Sequence, residues 1–262
     1  MKRFNEKLVV LSGAAAGIGY STALRLADEG ANLIVIDYDA NGIKALKKKL
    51  NSSIFETYVH DISDEEGTKK IFEEICDRYV SIDALINVAG ILGFDHSKDV
   101  KMQDWKKIID TNLTGTFFMC RYALPMLLIS KGNIVNVSST AALGSHAWTA
   151  AYSASKGGIS AFSKTLAVEY GVLGLNVNCI CPASIKTKMS TETPLPDGFD
   201  KRLLKKIMPV DGVNRSPDDV ASAIAFLASE DAVHINGINL RVDGGLLSVS
   251  YTHLTLPTTL VV

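Results

Sequence analysis

Leu8-Val9-Val10-Leu11-Ser12-Gly13-Ala14-Ala15-Ala16-Gly17-Ile18-Gly19 decides how this chain folds. A short apolar run of strand length enters three glycines spaced G-x-x-x-G-x-G, and an amphipathic stretch over 18–29 follows. In such a turn Gly13 permits a tight bend, Gly17 lets the backbone approach a pyrophosphate, and Gly19 lets the helix pack closely. The helix start, near Ile18, then offers free N–H groups and a positive dipole end to phosphates. Outward from this turn, strand-length apolar runs (8–12, 32–37, 54–60, 84–87, 133–138, 175–180 and 239–242) alternate with helical patterns (18–29, 43–50, 65–78, 104–129, 152–170 and 218–228). Several runs are almost continuously apolar, as strands covered on both faces are. Strand then helix, repeated, predicts parallel pairing with right-handed crossovers. The fold class is therefore α/β: a doubly wound parallel sheet of about seven strands, Rossmann-type, with helices on both faces.

The chain has 262 residues, 47% of them apolar, which is enough for one buried core, and a net charge of −1. That balance gives no electrostatic footprint for nucleic acid or an anionic membrane. The charged start, residues 1–7, lacks the long apolar region of a signal peptide, and no later stretch reads as long enough to span a bilayer. Cys76, Cys120, Cys179 and Cys181 show no paired metal spacing and read as small hydrophobes of a reducing cytoplasm. No metal site is expected. His60, His96 and His234 carry no ligand or triad pattern, and the lysines at 44–49 read as a solvated helix end.

Asp37 closes the second strand, eighteen residues after Gly19. A carboxylate there accepts both hydroxyls of an adenosine ribose and repels a 2′-phosphate. No Arg or Lys lies within 13–19 or immediately after Asp37 to hold that phosphate. The expected cofactor is NAD rather than NADP.

The ordered motifs GAAAGIG at 13–19, Asp37, Asp61-Ile62, Asn87-Val88-Ala89-Gly90, Asn112, Ser139, Tyr152-Ser153-Ala154-Ser155-Lys156, Pro182 to Thr187 and Val242-Asp243-Gly244-Gly245 make the chain resemble the short-chain dehydrogenase/reductase family over roughly residues 5–247. The resemblance implies that Asp61 bonds the adenine and Ile62 packs on it, and that Asn87, Gly90 and Pro182 line the cofactor cleft. It also implies that Thr187 holds the nicotinamide carboxamide with Ile185 beside it. Two positions depart from the family pattern: Val88 stands where Asn is common, and Ala183 where Gly is common after Pro182. The second is expected to alter how the following segment leaves the sheet, because alanine adopts positive φ less cheaply than glycine.

Oxidising an alcohol requires a base for the hydroxyl proton while hydride leaves carbon for the nicotinamide. Tyrosine is a poor base at its usual pKa of about 10, but nearby positive charge favours the phenolate. Lys156, one helical turn beyond Tyr152, shares its face and is expected to supply that charge. Ser139 has the family's thirteen-residue separation from Tyr152, whereas Ser138 faces the other way on the strand. By resemblance, Asn112 holds a water linking Lys156 to solvent.

The expected activity is hydride transfer between a secondary alcohol, or its ketone, and NAD. The alternatives are a 3-oxoacyl-thioester reductase, which Asp37 disfavours, and a non-catalytic NAD-binding regulator. Residues 184–217, with four prolines, read as a substrate lid with an apolar wall of Met189, Leu195, Phe199 and Met208. His146 and Trp148 lie in a stretch that often borders substrate in the family. A homo-oligomer, tetramer or dimer, is expected through the helices at 104–129 and 152–170, by family analogy. The domain is read as 1–248; residues 249–262 resemble a translated sequencing adapter and are expected to be an assembly artefact.

Overall fold

The computed structural model describes residues 2–50, 55–144, 146–204 and 207–248, so the suspected artefact at 249–262 lies outside the described residues. β1 (Leu8–Ser12) runs through the middle of a parallel sheet, between β2 (Asn32–Asp37) and β4 (Ala84–Asn87). With β3 (Phe55–Val59), β5 (Asn133–Val137), β6 (Asn176–Pro182) and β7 (Asn239–Val242), the order among the described residues is β3-β2-β1-β4-β5-β6-β7. The order reverses between β1 and β4, and a crevice at such a switch point is where open α/β sheets bind ligands.

Alternation along the strands sends side chains into two cores. Val9 and Leu11 of β1, with Leu33, Val35, Ile86 and Val135, pack beneath α1 (Gly17–Asp28) and α9 (Pro217–Leu227). Leu8 and Val10, with Ile34, Ile36, Leu85 and Ile134, face α3 (Glu65–Arg78), α5 (Gly115–Ser130) and α6 (Ala150–Gly171). Each fully buried Leu or Ile contributes about 1.5–3 kcal/mol. Ser12, Asn87 and Asn136 lie side by side in register across β1, β4 and β5. Their buried side chains form one chain: Ser12 Oγ donates to Asn87 Oδ1 (3.4 Å), Asn87 Nδ2 to Asn136 Oδ1 (2.9 Å) and Asn136 Nδ2 to Ser163 Oγ on α6 (2.8 Å). This row ties the strand entering the glycine turn to the helix that carries Tyr152.

Several expectations change in detail. α2 spans Ala40–Lys47 rather than 43–50, because Asp39 caps it by accepting from Asn41 N–H. The helix expected over 104–129 is α4 (Met102–Ile109), a π turn over Asp110–Thr114, and α5. The helical run Met102–Ser130 contains an 18-residue window with a mean hydropathy of 1.3, long and apolar enough to cross a bilayer, where the sequence reading expected no such stretch. Here it is a core helix, with Met119, Cys120, Ala123, Met126 and Leu127 buried against the sheet. The segment expected as a lid contains α7 (Lys188–Glu192) and α8 (Lys201–Leu204), and its neck is closed where Ile185 pairs with Arg215. Ala183 does not have positive φ, so alanine costs nothing there.

Candidate active site

The glycine turn is built as its spacing requires. A Cβ on Gly13 (φ +74°) would stand 2.5 Å from Ala89 N, and one on Gly19 would stand 1.9 Å from the Gly13 carbonyl oxygen. Gly17 (φ +53°) faces Thr187 at the base of the lid, where a Cβ would come within 3.1 Å of its methyl group. Ala16 leaves the start of α1 without a side-chain cap, so its first N–H groups, around Ile18, remain available to an anion. Asp37, buried at the end of β2, accepts from Ala15 N–H and Asp39 N–H, both at 2.9 Å. Its carboxylate is thereby fixed beside the turn. These residues fit a dinucleotide.

Other positions expected to hold the cofactor are placed less simply. Asp61 is exposed and accepts from Ser63 N–H and Oγ. Ile62 is buried so tightly against Gly115 that a Cβ there would stand 2.8 Å from it. The Asn87 side chain lies in the buried row below the crevice, not on its wall. Pro182 ends β6, Ile185 is buried at the neck of the lid, and Thr187 caps α7 in a reciprocal box with Ser190.

Asn112, Ser139, Tyr152 and Lys156 come together at the C-terminal ends of β4 and β5. The π turn buries Asn112, whose Oδ1 accepts from Ile91 N–H (2.7 Å) while Nδ2 donates to Ile91 O (2.9 Å) and Ser155 Oγ (3.0 Å). Its carboxamide thus clamps the loop after β4 to α6. Lys156, only 3% exposed, donates from Nζ to the Val137 carbonyl at 2.8 Å and lies 5.8 Å from the Tyr152 ring centroid. Gly90 fits between them: a Cβ there would be 3.1 Å from Asn112 Oδ1 and 3.3 Å from Lys156 Nζ. Ser139 Oγ accepts from Ala141 N–H and caps the 3₁₀ turn Thr140–Ala142.

Burial pulls the Lys156 ammonium down to about 8. Burial also raises the Tyr152 phenol, against a hydrogen bond with Ser139 that lowers it. Lys156 was expected to supply the lowering charge, but desolvation wins. The sequence missed a pair of residues here. Ser138 Oγ donates to the Lys156 carbonyl (2.9 Å) and meets Ser160 Oγ at 2.8 Å, pinning the backbone of α6 at the lysine. The serine doublet stands in the sequence, but the partners of Ser138 lie 18 and 22 residues further on, in α6. Cys179 and Cys181 share one buried cluster behind Lys156 and form no disulfide. Among the described residues, no group of three or more His, Cys, Asp or Glu could hold a metal. His146 lies 3.3 Å from Thr140 Oγ1, and burial lowers its pKa.

A profile described as enoyl-(acyl carrier protein) reductase, of the short-chain alcohol dehydrogenase type, matches residues 13–247. The chain belongs to the short-chain dehydrogenase/reductase family. Within it, the chain is 34% identical to meso-2,3-butanediol dehydrogenase of Serratia marcescens, over 93% of this chain and 95% of that one. It is 35% identical to D-threitol dehydrogenase of Mycolicibacterium smegmatis, over 93% and 94%. The crystal structure of levodione reductase superposes with a TM-score of 0.85 at 27% identity, covering 95% of this chain and all of that one. The short-chain dehydrogenase/reductase fold thus extends from the glycine turn to the last described residues.

Proposed function

We propose that this protein transfers hydride between a secondary alcohol, or its ketone, and NAD, with Tyr152 as the acid–base residue. The observation that carries the reading is the meeting of Tyr152, Lys156, Ser139 and Asn112 beside a glycine turn that fits a dinucleotide. Bound NAD supplies the hydride acceptor for oxidation. Ser139 orients the substrate oxygen and Tyr152 takes its proton. Lys156 and the charge of the oxidised cofactor together favour the phenolate once both are present. Asn112 positions the loop after β4, and its main-chain carbonyl, already accepting from Thr116 Oγ1, has a second lone pair for the water of a proton path. A non-catalytic NAD-binding regulator would have no use for an ammonium held almost wholly out of water. The similarity to dehydrogenases of butanediol and threitol supports action on a CH–OH group.

The deciding experiment is NADH formation across a panel of secondary alcohols, polyols, hydroxyacids and hydroxysteroids, with NADP as control. Turnover with NAD carries the reading; turnover that prefers NADP removes the assigned role of Asp37. The fixed Asp37 carboxylate sets a like-charge penalty of several kcal/mol on a 2′-phosphate. Replacing it together with its exposed neighbour (Asp37→Ala with Tyr38→Arg) is therefore expected to raise kcat/KM for NADP about 100-fold relative to NAD. The Gly90→Ala variant is expected to lose about tenfold in kcat, by displacing Asn112 and Lys156 a few tenths of an ångström. Steady-state kinetics at saturating cofactor would check this, and an unchanged kcat would show that the contact is slack.

The same reading places the protein in the cytoplasm, where its four free cysteines stay reduced. It also makes the protein a dimer or tetramer through α5 and α6, whose Phe117, Ile129 and Val168 are exposed apolar groups.

A further inference from the structure

Gly42 lies in the first turn of α2, half-buried beside the glycine turn. A Cβ there would stand 2.5 Å from Ala15 Cβ, 2.8 Å from the Ala15 carbonyl oxygen and 2.9 Å from Asp39 Oδ2. The two Ala15 atoms are backbone or fixed to it, so no rotamer relieves the overlap; the helix or the turn would have to move. Glycine is a poor helix former, and alanine at this position would favour α2. The close approach to Ala15, and not the helix, accounts for this residue.

What the approach holds in place is the carboxylate of Asp37. Its Oδ2 accepts from Ala15 N–H and its Oδ1 from Asp39 N–H, both at 2.9 Å. Asp39 in turn accepts from Asn41 N–H at 3.0 Å and caps α2. Gly42 stands beside both Ala15 and Asp39, so the contacts close into a ring that runs from the glycine turn through Asp37 and Asp39 to α2 and back. Each Asp37 oxygen takes one backbone N–H in this ring and keeps a further lone pair for a hydroxyl. Moving α2 away from Ala15 would pull Asp39, and with it one of the two donors that aim the carboxylate.

We propose that Gly42 is a positioning residue for the cofactor: by letting α2 close on Ala15, it fixes the Asp37 carboxylate and so sets both the affinity for NAD and the refusal of NADP. The proposal rests on the reading of Asp37 given above and adds the residue that holds it. A displaced carboxylate bonds a diol less well and repels a 2′-phosphate less strongly, so the two affinities should converge.

The test is fluorescence titration of NADH and of NADPH into the parent, Gly42→Ala, Ala15→Gly and the double variant, with melting curves of each without cofactor. Gly42→Ala is expected to bind NADH about tenfold more weakly, with NADPH unchanged or tighter, so that the preference for NADH falls about tenfold or more. In the Ala15→Gly background, where the nearest overlap is gone, the same substitution should change that preference by about threefold or less. Equal weakening of both cofactors would show a general loosening of the turn and overturn the proposal. So would an unmoved preference with a raised melting temperature, the result of alanine simply improving the helix. If Gly42→Ala alone does not fold, the double variant compared with Ala15→Gly carries the test: a preference lowered by up to about threefold supports the ring, and an unmoved one overturns it. A parent that binds no NADH removes the NAD reading and the proposal together. A parent that prefers NADH, with variants that keep its preference, overturns the proposal alone.

Discussion

Tyr152→Phe is expected to lower turnover by about 10³-fold or more while leaving the fold and cofactor affinity unchanged. The substitution removes one oxygen from a half-buried ring and leaves the helix that carries it intact. NADH binding, followed by fluorescence, would check the cofactor and steady-state rates the chemistry. The pH dependence follows from the same oxygen. Burial raises its pKa, so the phenol is the resting form at neutral pH. Oxidation needs the phenolate and should accelerate as pH rises between about 6 and 10, whereas ketone reduction needs the phenol and should slow over that range. Tyr152→Phe should flatten both profiles. A variant that kept the parent's slope would move the acid–base role to another group.

Lys156→Met is expected to abolish turnover and to raise the melting temperature at neutral pH. The ammonium is pulled from its usual value of 10.5 to about 8 by burial, with the Val137 carbonyl as its hydrogen-bond acceptor. Between those two values the unfolded chain binds the extra proton, so stability rises with pH across the window. Below about 8 both states are protonated and the full cost of burying the charge is present. Methionine, similar in length and uncharged, removes that cost, at about 2–4 °C for each kcal/mol relieved in a chain of this size. The gain should shrink above pH 8 and vanish near pH 10.5. Melting curves at neutral and alkaline pH would check it; a lower melting temperature at pH 7 would mean that the bond to Val137 outweighs desolvation.

Much of this architecture is legible in the sequence because its causes are local. The run into Gly13 declares β1, and the steric demands at Gly13 and Gly19 are those the spacing implies. The helical spacing puts Tyr152 and Lys156 on one face, and the resemblance to the family implies that Ser139 and Asn112 join them. What stays hidden depends on partners distant in sequence. Asn87 reads as a cleft residue, yet its amide is committed to Ser12 and Asn136 on neighbouring strands. The π turn at Asn112 has no periodic signature, because one widened turn shifts the helical pattern by less than the scatter of apolar positions. The sign of the Tyr152 shift is equally unreadable. Spacing gives the distance to a charge, but desolvation depends on everything packed around the ring.

The order of the strands has a consequence for the chain while it is being synthesised. β1 pairs on one side with β2, which follows it closely, and on the other with β4, which leaves the ribosome only after some seventy further residues. Until residues 84–87 arrive, the half-sheet β3-β2-β1 presents Val9–Ser12 as an open hydrogen-bonding edge with apolar side chains on both faces. Such an edge pairs readily with other nascent chains. Docking of β4 closes it and sets Ala89 against Gly13. Docking of β4 thus completes the crevice beside Gly13 and hands the open edge to Ala84–Asn87, which stays bare until β5 arrives, and a translational pause before residue 84 would prolong the exposure of β1 and postpone the crevice.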